Sequence, residues 1–221
     1  MSLECIEMQT SATPGLSLIV LHGLGADGND FVPIAQQLDL SPLGGVRFVF
    51  PHAPMRPVTM NGGYVMRAWY DIAGPGRTED EAGLRQSQAL IEALIAREVE
   101  RGMPASRIVL MGFSQGCAMT LMTGLRHRER LGALVGLSGY LPLAAHTAAE
   151  RSDANTLVPI FMAHGRADPM IPLARAAASR DALQALGYAV DWHDYPMDHS
   201  VCIEEISDLQ RWLLRTLRPQ A

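Results

Sequence analysis

The chain has 221 residues, 48% of them apolar and 19% charged, a balance that supports a substantial buried core and excludes a disordered segment as its main state. Its net charge of −5, from 18 basic and 23 acidic residues with the bases scattered, leaves no electrostatic footprint for nucleic acid. The opening stretch M-S-L-E-C-I-E-M places acids where a signal peptide carries bases, and no apolar run is long enough to span a membrane. Cys5, Cys117 and Cys202 cannot all pair with one another and match no metal-binding spacing, so the expectation is a reduced, cytoplasmic protein.

In chain order, apolar strand-like runs alternate with helical patterns. A weak strand pattern at 3–9 precedes a clear one at 16–21. Asp30 is placed to cap a helix carrying Phe31, Ile34, Ala35 and Leu38 on one face. Strand 46–50 follows, then a short strand pattern at 67–72. A long helix over 81–101 repeats Leu84, Ile91, Leu94, Ile95 and Val99 and stops at Gly102, with Pro104 just beyond. Strand 108–112 runs into helix 115–126, and strands 133–137 and 159–164 come next. Helix 173–186 ends before Gly187, strand 189–195 follows, and helix 203–217 turns Ile206, Leu209, Trp212 and Leu213 inward. The strands are near-continuous apolar runs, as expected of parallel strands buried on both faces. Alternation of this kind predicts right-handed crossovers in one α/β domain over 1–221, with helices on both faces of a mostly parallel sheet.

The informative stretch is 107–118, R-I-V-L-M-G-F-S-Q-G-C-A, with the one G-x-S-x-G of the chain. Alone the pattern is weak; here a strand leads into it and a helix leads out, as a nucleophile elbow requires. A sharp turn of that kind needs Gly112 and Gly116 beside Ser114, and it presents the hydroxyl at a helix N-terminus. The competing reading of Ser114 is a helix cap in a glycine-rich turn.

A serine hydroxyl needs a base, an orienting acid and an oxyanion hole. In this fold the acid and then the histidine follow the serine along the chain. His199 lies just past strand 189–195, where a loop can swing it over Ser114, whereas His193 alternates within that strand and reads as a strand-face residue. The loop after strand 159–164 offers Asp168, whose competing role is a turn residue before Pro169. The oxyanion donors are expected to be the backbone N–H groups of Gln115 and of Leu24, in the L-H-G-L-G loop after strand 16–21. That loop has no Lys and no G-K-[ST], which excludes a phosphate cradle, and His22 within it reads as an interior brace. His52, His127, His146 and His164 show no ligand spacing, so no metal is expected.

The motifs L-H-G-L-G-A-D-G, F-P-H-A-P, A-W-Y-D-I, G-F-S-Q-G, L-S-G-Y-L-P, A-H-G-R-A-D-P-M-I-P and Y-P-M-D-H-S occur in that order. Together, over residues 18–217, they resemble the carboxylesterase/acyl-protein thioesterase family of serine hydrolases. The resemblance implies an α/β-hydrolase fold and no cofactor. It also implies a Ser114, Asp168, His199 triad with Leu24 and Gln115 as oxyanion donors, in agreement with the reading from the residues. One departure stands out: the family usually has Gly directly before the catalytic histidine, where this chain has Asp198. A second carboxylate there is expected to favour the imidazolium or to offer the ring a wrong hydrogen bond.

The longest stretch without a helical pattern, 51–80, is expected to wall the site with Met55, Met60, Tyr64, Val65, Met66 and Trp69, and no interval is long enough for a cap domain. A shallow site of that kind predicts short-to-medium acyl esters as substrates, through an acyl-enzyme on Ser114. The alternative is an acyl-protein thioesterase of the depalmitoylating type. A non-catalytic hydrolase-fold binding protein is the reading from another class, and it expects loss of Ser114, Asp168 or His199, all of which are present. Tyr140, after L-S-G, is placed to flank the site but receives no role, and a homodimer is left open.

Overall fold

The computed structural model describes residues 3–74, 76 and 78–218. Seven strands form one sheet: β1 (Cys5–Gln9), β2 (Pro14–Leu21), β3 (Gly45–Pro51), β6 (Ile108–Phe113), β7 (Ala133–Leu137), β8 (Ile160–Gly165) and β9 (Val190–Tyr195). Their spatial order is β1-β3-β2-β6-β7-β8-β9. Only β1 runs antiparallel, pairing with β3 from Cys5 opposite Pro51 to Gln9 opposite Arg47. The other pairs are parallel, as the continuous apolar runs predict.

Two cores sandwich the sheet. On one face pack α2 (Glu81–Glu100), α3 (Gln115–Arg126) and α5 (Leu173–Ala185), through Leu84, Ile91, Ile95, Leu121 and Leu183 among others. The opposite face takes α1 (Val32–Gln37) and α6 (Ile203–Thr216), through Ala35, Ile206, Leu209, Trp212 and Leu213. Every α3 residue from Gln115 to Leu125 is buried, so this helix is the axis of the molecule. Beneath β2 and β3, the fully buried Glu98 of α2 accepts from Arg47 Nη1 at 2.8 Å and from Ser17 Oγ at 3.0 Å. Among the described residues no helix is long and apolar enough to cross a membrane.

Three expectations about elements are corrected. The strand pattern at 67–72 is not a strand. Only Arg67 belongs to one, at the end of β5 (Tyr64–Arg67), which pairs antiparallel with β4 (Met55–Val58) in a hairpin apart from the main sheet. Asp30 caps nothing: α1 starts from Phe31 with no side-chain cap and a proline in its first turn. A helix that the sequence did not signal, α4 (Ala144–Glu150), follows β7. Two positions of the 51–80 stretch, 75 and 77, lie outside the described residues, as do the first two and last three of the expected 1–221 domain.

Candidate active site

Ser114 sits between β6 and α3 with φ 56° and ψ −117°, a left-handed conformation in which a side chain is strained. The turn is that tight because chain segments touch around it. A Cβ on Gly112 would stand 2.2 Å from the Gly116 backbone, and one on Gly116 would stand 2.0 Å from the Leu21 carbonyl oxygen. Ser114 occupies the N-cap position but makes no side-chain capping bond. Its hydroxyl instead donates to His199 Nε2 at 2.9 Å.

His199 Nδ1–H in turn donates to Asp168 Oδ2 at 2.7 Å, which fixes the ring tautomer because a carboxylate can only accept. The two loops that carry this pair are stitched together. Arg166 N–H donates to Tyr195 O at 2.8 Å and Ala167 N–H to Met197 O at 3.0 Å. Only glycine fits at 165, where a Cβ would stand 2.2 Å from the Asp198 carbonyl oxygen. The Asp168 side chain is buried, and its other oxygen, Oδ1, accepts from the Met170 and Ile171 N–H groups at 2.8 and 2.9 Å. Burial pushes this carboxyl up, but the donors Ile171, His199 and Met170 outweigh it and hold the group below its ordinary value. A hydroxyl, imidazole and ionised carboxylate in line can pass a proton from oxygen to nitrogen and stabilise the resulting cation.

Phe113 packs its ring on His199, with centroids 4.8 Å apart. Asp198 is exposed, and both ring nitrogens of His199 already have partners, so the wrong hydrogen bond expected of this carboxylate is absent. His193 is the strand-face residue expected of it: it stacks on Phe161 and its Nε2 meets Asp191 at 2.9 Å. His22 is the interior brace: its Nδ1–H donates to Gly23 O at 2.7 Å and its Nε2 accepts from Ala53 N–H at 3.0 Å. Burial lowers its basicity, in keeping with that neutral tautomer.

Ser114 and His199 open onto a cavity of about 790 Å³, whose lining includes Leu24 and Gln115. A Cβ on Gly23 would lie 3.3 Å from Ser114 Cβ, so the loop carrying Leu24 is pressed against the elbow. Gln115 is the first residue of α3, where a backbone N–H has no intrahelical partner. Its side chain is also engaged: Oε1 accepts from Trp69 N–H and Nε2 donates to Tyr70 O, both at 2.9 Å.

The wall differs from the one expected. Of the six residues foreseen, Trp69 is fully buried and donates from Nε1 to His22 O, while Met55, Tyr64 and Val65 project into solvent. Only Met60 of that set lines the cavity. The apolar wall comes instead from Tyr70 and Ile72 on one side and Met170 and Ile171 on the other. Tyr140 and Arg175 complete it, the Tyr140 hydroxyl 2.9 Å from that of Tyr70 and the Arg175 guanidinium 3.4 Å from the Tyr140 ring centre. Burial pushes both phenols up, Tyr70 well above its ordinary value, so both remain hydrogen-bonding hydroxyls. For Ile171 and Tyr70 signals of the same kind were available, in the D-P-M-I-P string that opens on Asp168 and in A-W-Y-D-I; for Arg175 none was.

The phospholipase/carboxylesterase family profile matches residues 4–217. The chain is 39% identical over 220 residues to acyl-protein thioesterase 1 of Yarrowia lipolytica, covering 96% of this chain and 97% of that one. It is 41% identical over 212 residues to acyl-protein thioesterase 1 of Neurospora crassa, covering 91% and 86%. The solved structure of Arabidopsis thaliana SOBER1 superposes with a TM-score of 0.87 at 30% identity, over 92% of this chain and 99% of that one. Zea mays acyl-protein thioesterase 2 superposes with a TM-score of 0.83 at 28% identity, over 97% and 99%. With its elbow, its sheet order and these likenesses over nearly the whole length, the chain belongs to the phospholipase/carboxylesterase family of α/β-hydrolases, a family of serine hydrolases.

Proposed function

We propose that the protein is an acyl thioesterase that releases long acyl groups from cysteine thioesters on proteins. The observation that carries the chemistry is the His199 ring bridging Ser114 and Asp168 at 2.9 and 2.7 Å on the floor of the cavity. Ser114 attacks the acyl carbonyl while His199 takes its proton, and Asp168 stabilises the imidazolium that results. The backbone N–H groups of Leu24 and Gln115 receive the negative charge on the carbonyl oxygen. The thiolate leaves with the proton from His199, and water repeats the sequence in reverse to free the acid.

Two things favour the thioester over the short esters first expected. A cavity of about 790 Å³ lies in the upper part of the range usual for bound small molecules, and its apolar lining lies against Ser114. The relatives at 39% and 41% identity carry the name acyl-protein thioesterase. Each buried methylene contributes about 0.8 kcal/mol, so a wall of this extent rewards chains beyond the short range. The test is kcat/KM across p-nitrophenyl esters and matched S-acyl peptides of increasing chain length, kept below micelle-forming concentrations. A steady rise past medium chains with preference for the peptide is expected. A peak at short esters with no turnover of the peptide would return the assignment to a carboxylesterase.

A further inference from the structure

His164, the last residue but one of β8, is fully buried and lies outside the Ser114–His199–Asp168 line. Its Nε2 stands 2.8 Å from the Ile171 carbonyl oxygen and 3.3 Å from Asp168 Oδ2, both acceptors, so the ring proton sits on Nε2. Nδ1 has no partner among the described residues. Ile171 is thus held from two sides: its carbonyl accepts from His164 while its N–H donates to Asp168 Oδ1 at 2.9 Å. Its side chain lines the cavity.

From this arrangement we infer that His164 is a positioning residue, which clamps the 168–171 turn through Ile171 and so aims the Asp168 carboxylate at His199. The inference rests on the assignment of Ser114, Asp168 and His199 above. Without the clamp Ile171 keeps only its N–H bond to Asp168 Oδ1, so the turn and the carboxylate can move together and carry Oδ2 off the ring it orients. Because the carboxylate acts as charge develops on His199, its misplacement lowers kcat and leaves KM nearly unchanged.

The experiment compares His164→Gln, whose amide nitrogen can reach the Ile171 carbonyl, with His164→Asn and His164→Leu, which cannot. Both of the latter are expected to lose roughly ten- to a hundredfold in kcat, the range usual for residues that orient catalytic ligands, while Gln stays within a few-fold of wild type. The far-downfield proton resonance of the His199–Asp168 hydrogen bond should persist in Gln and disappear in Asn and Leu. Should Asn and Leu fail to fold, the ¹⁵N spectrum of the wild-type ring decides, because a proton on Nδ1 overturns the clamp. Equal losses in all three variants, a change confined to KM, or an unaltered kcat in Leu would each overturn it too. A Ser114→Ala control separates the two levels: activity surviving in it defeats the active-site assignment, whereas the tautomer still tests the clamp.

Discussion

Ser114 is one of the strained residues of the molecule, and a side chain held at φ 56° persists only where its surroundings over-determine it. Gly112, Gly116 and the Leu21 carbonyl do so, and none of them depends on the hydroxyl. Ser114→Ala is therefore expected to melt at the wild-type temperature and to lose at least about 10⁴-fold in kcat. Intact-mass detection of an organophosphonate adduct, present in wild type and absent in the variant, checks the assignment independently. Asp198 is a milder case. Its carboxylate is exposed and makes no bond to His199, so it acts only through a field that falls off over about 10 Å at moderate salt. Asp198→Gly is expected to leave kcat/KM within about twofold of wild type at low salt, and added salt should erase even that difference. A larger loss, or one that survives high salt, would put the carboxylate in contact with the ring. At this scale the sequence was legible wherever a residue stands at a fixed offset within a motif, as the hydrogen-bonded line of Ser114, His199 and Asp168 shows. His164 escaped because its partner is the carbonyl of Ile171, and any residue carries a carbonyl.

Among the elements, those with one clear periodicity match their expected bounds closely, as α2 at 81–100 and β7 at 133–137 show. The β4–β5 hairpin did not announce itself because most of its residues are not buried, so neither strand alternates, and Pro57 interrupts one of them. Helix α4 reads A-A-H-T-A-A-E and buries only Thr147, which leaves no apolar stripe to find. Two elements make testable contributions to stability. Removing the Glu98 carboxylate from α2 leaves Arg47 buried without its partner, and Glu98→Ala is expected to destabilise by about 3 kcal/mol in urea unfolding. At the start of α6, Glu205 is fully buried, and burial, opposed only by the Cys202 backbone N–H, pushes its pKa up to about 8. The folded state thus holds a proton that the unfolded state releases above the ordinary Glu range. Stability from this source is full below that range and declines as pH rises toward 8. Glu205→Gln, which needs no proton, should be more stable than wild type near pH 8 by an amount on the order of 3 kcal/mol, with the gap closing toward pH 5. A gap independent of pH would show that Glu205 stays ionised in the fold.

For the molecule as a whole, the fold class was the most legible property, because alternation of buried strands and amphipathic helices admits few topologies. The shape of the cavity wall was the least legible, since it is assembled from residues about a hundred positions apart in sequence, such as Tyr70 and Ile171. The sheet order itself has a colloidal consequence. An open sheet ends in two outer strands, here β1 and β9, each presenting backbone groups that a second copy could extend. Both borders carry acids: Glu7 on one, and Asp191 and Asp194 on the other. Each of these acids is ion-paired within its own chain, Glu7 with Arg97 and Arg101, Asp191 with Arg215 and Asp194 with Arg166, so what keeps like copies apart is chiefly the long-range repulsion of a net charge of −5. Concentrated solutions are expected to stay dispersed near neutral pH, and dynamic light scattering should register growing particles as the pH falls toward the isoelectric point near 5.8, where the net charge vanishes. Lysine at 191 and 194 would change the net charge from −5 to −1 and bring that growth on nearer neutral pH, which ties shelf life in solution to two side chains outside the cavity that Ser114 opens onto.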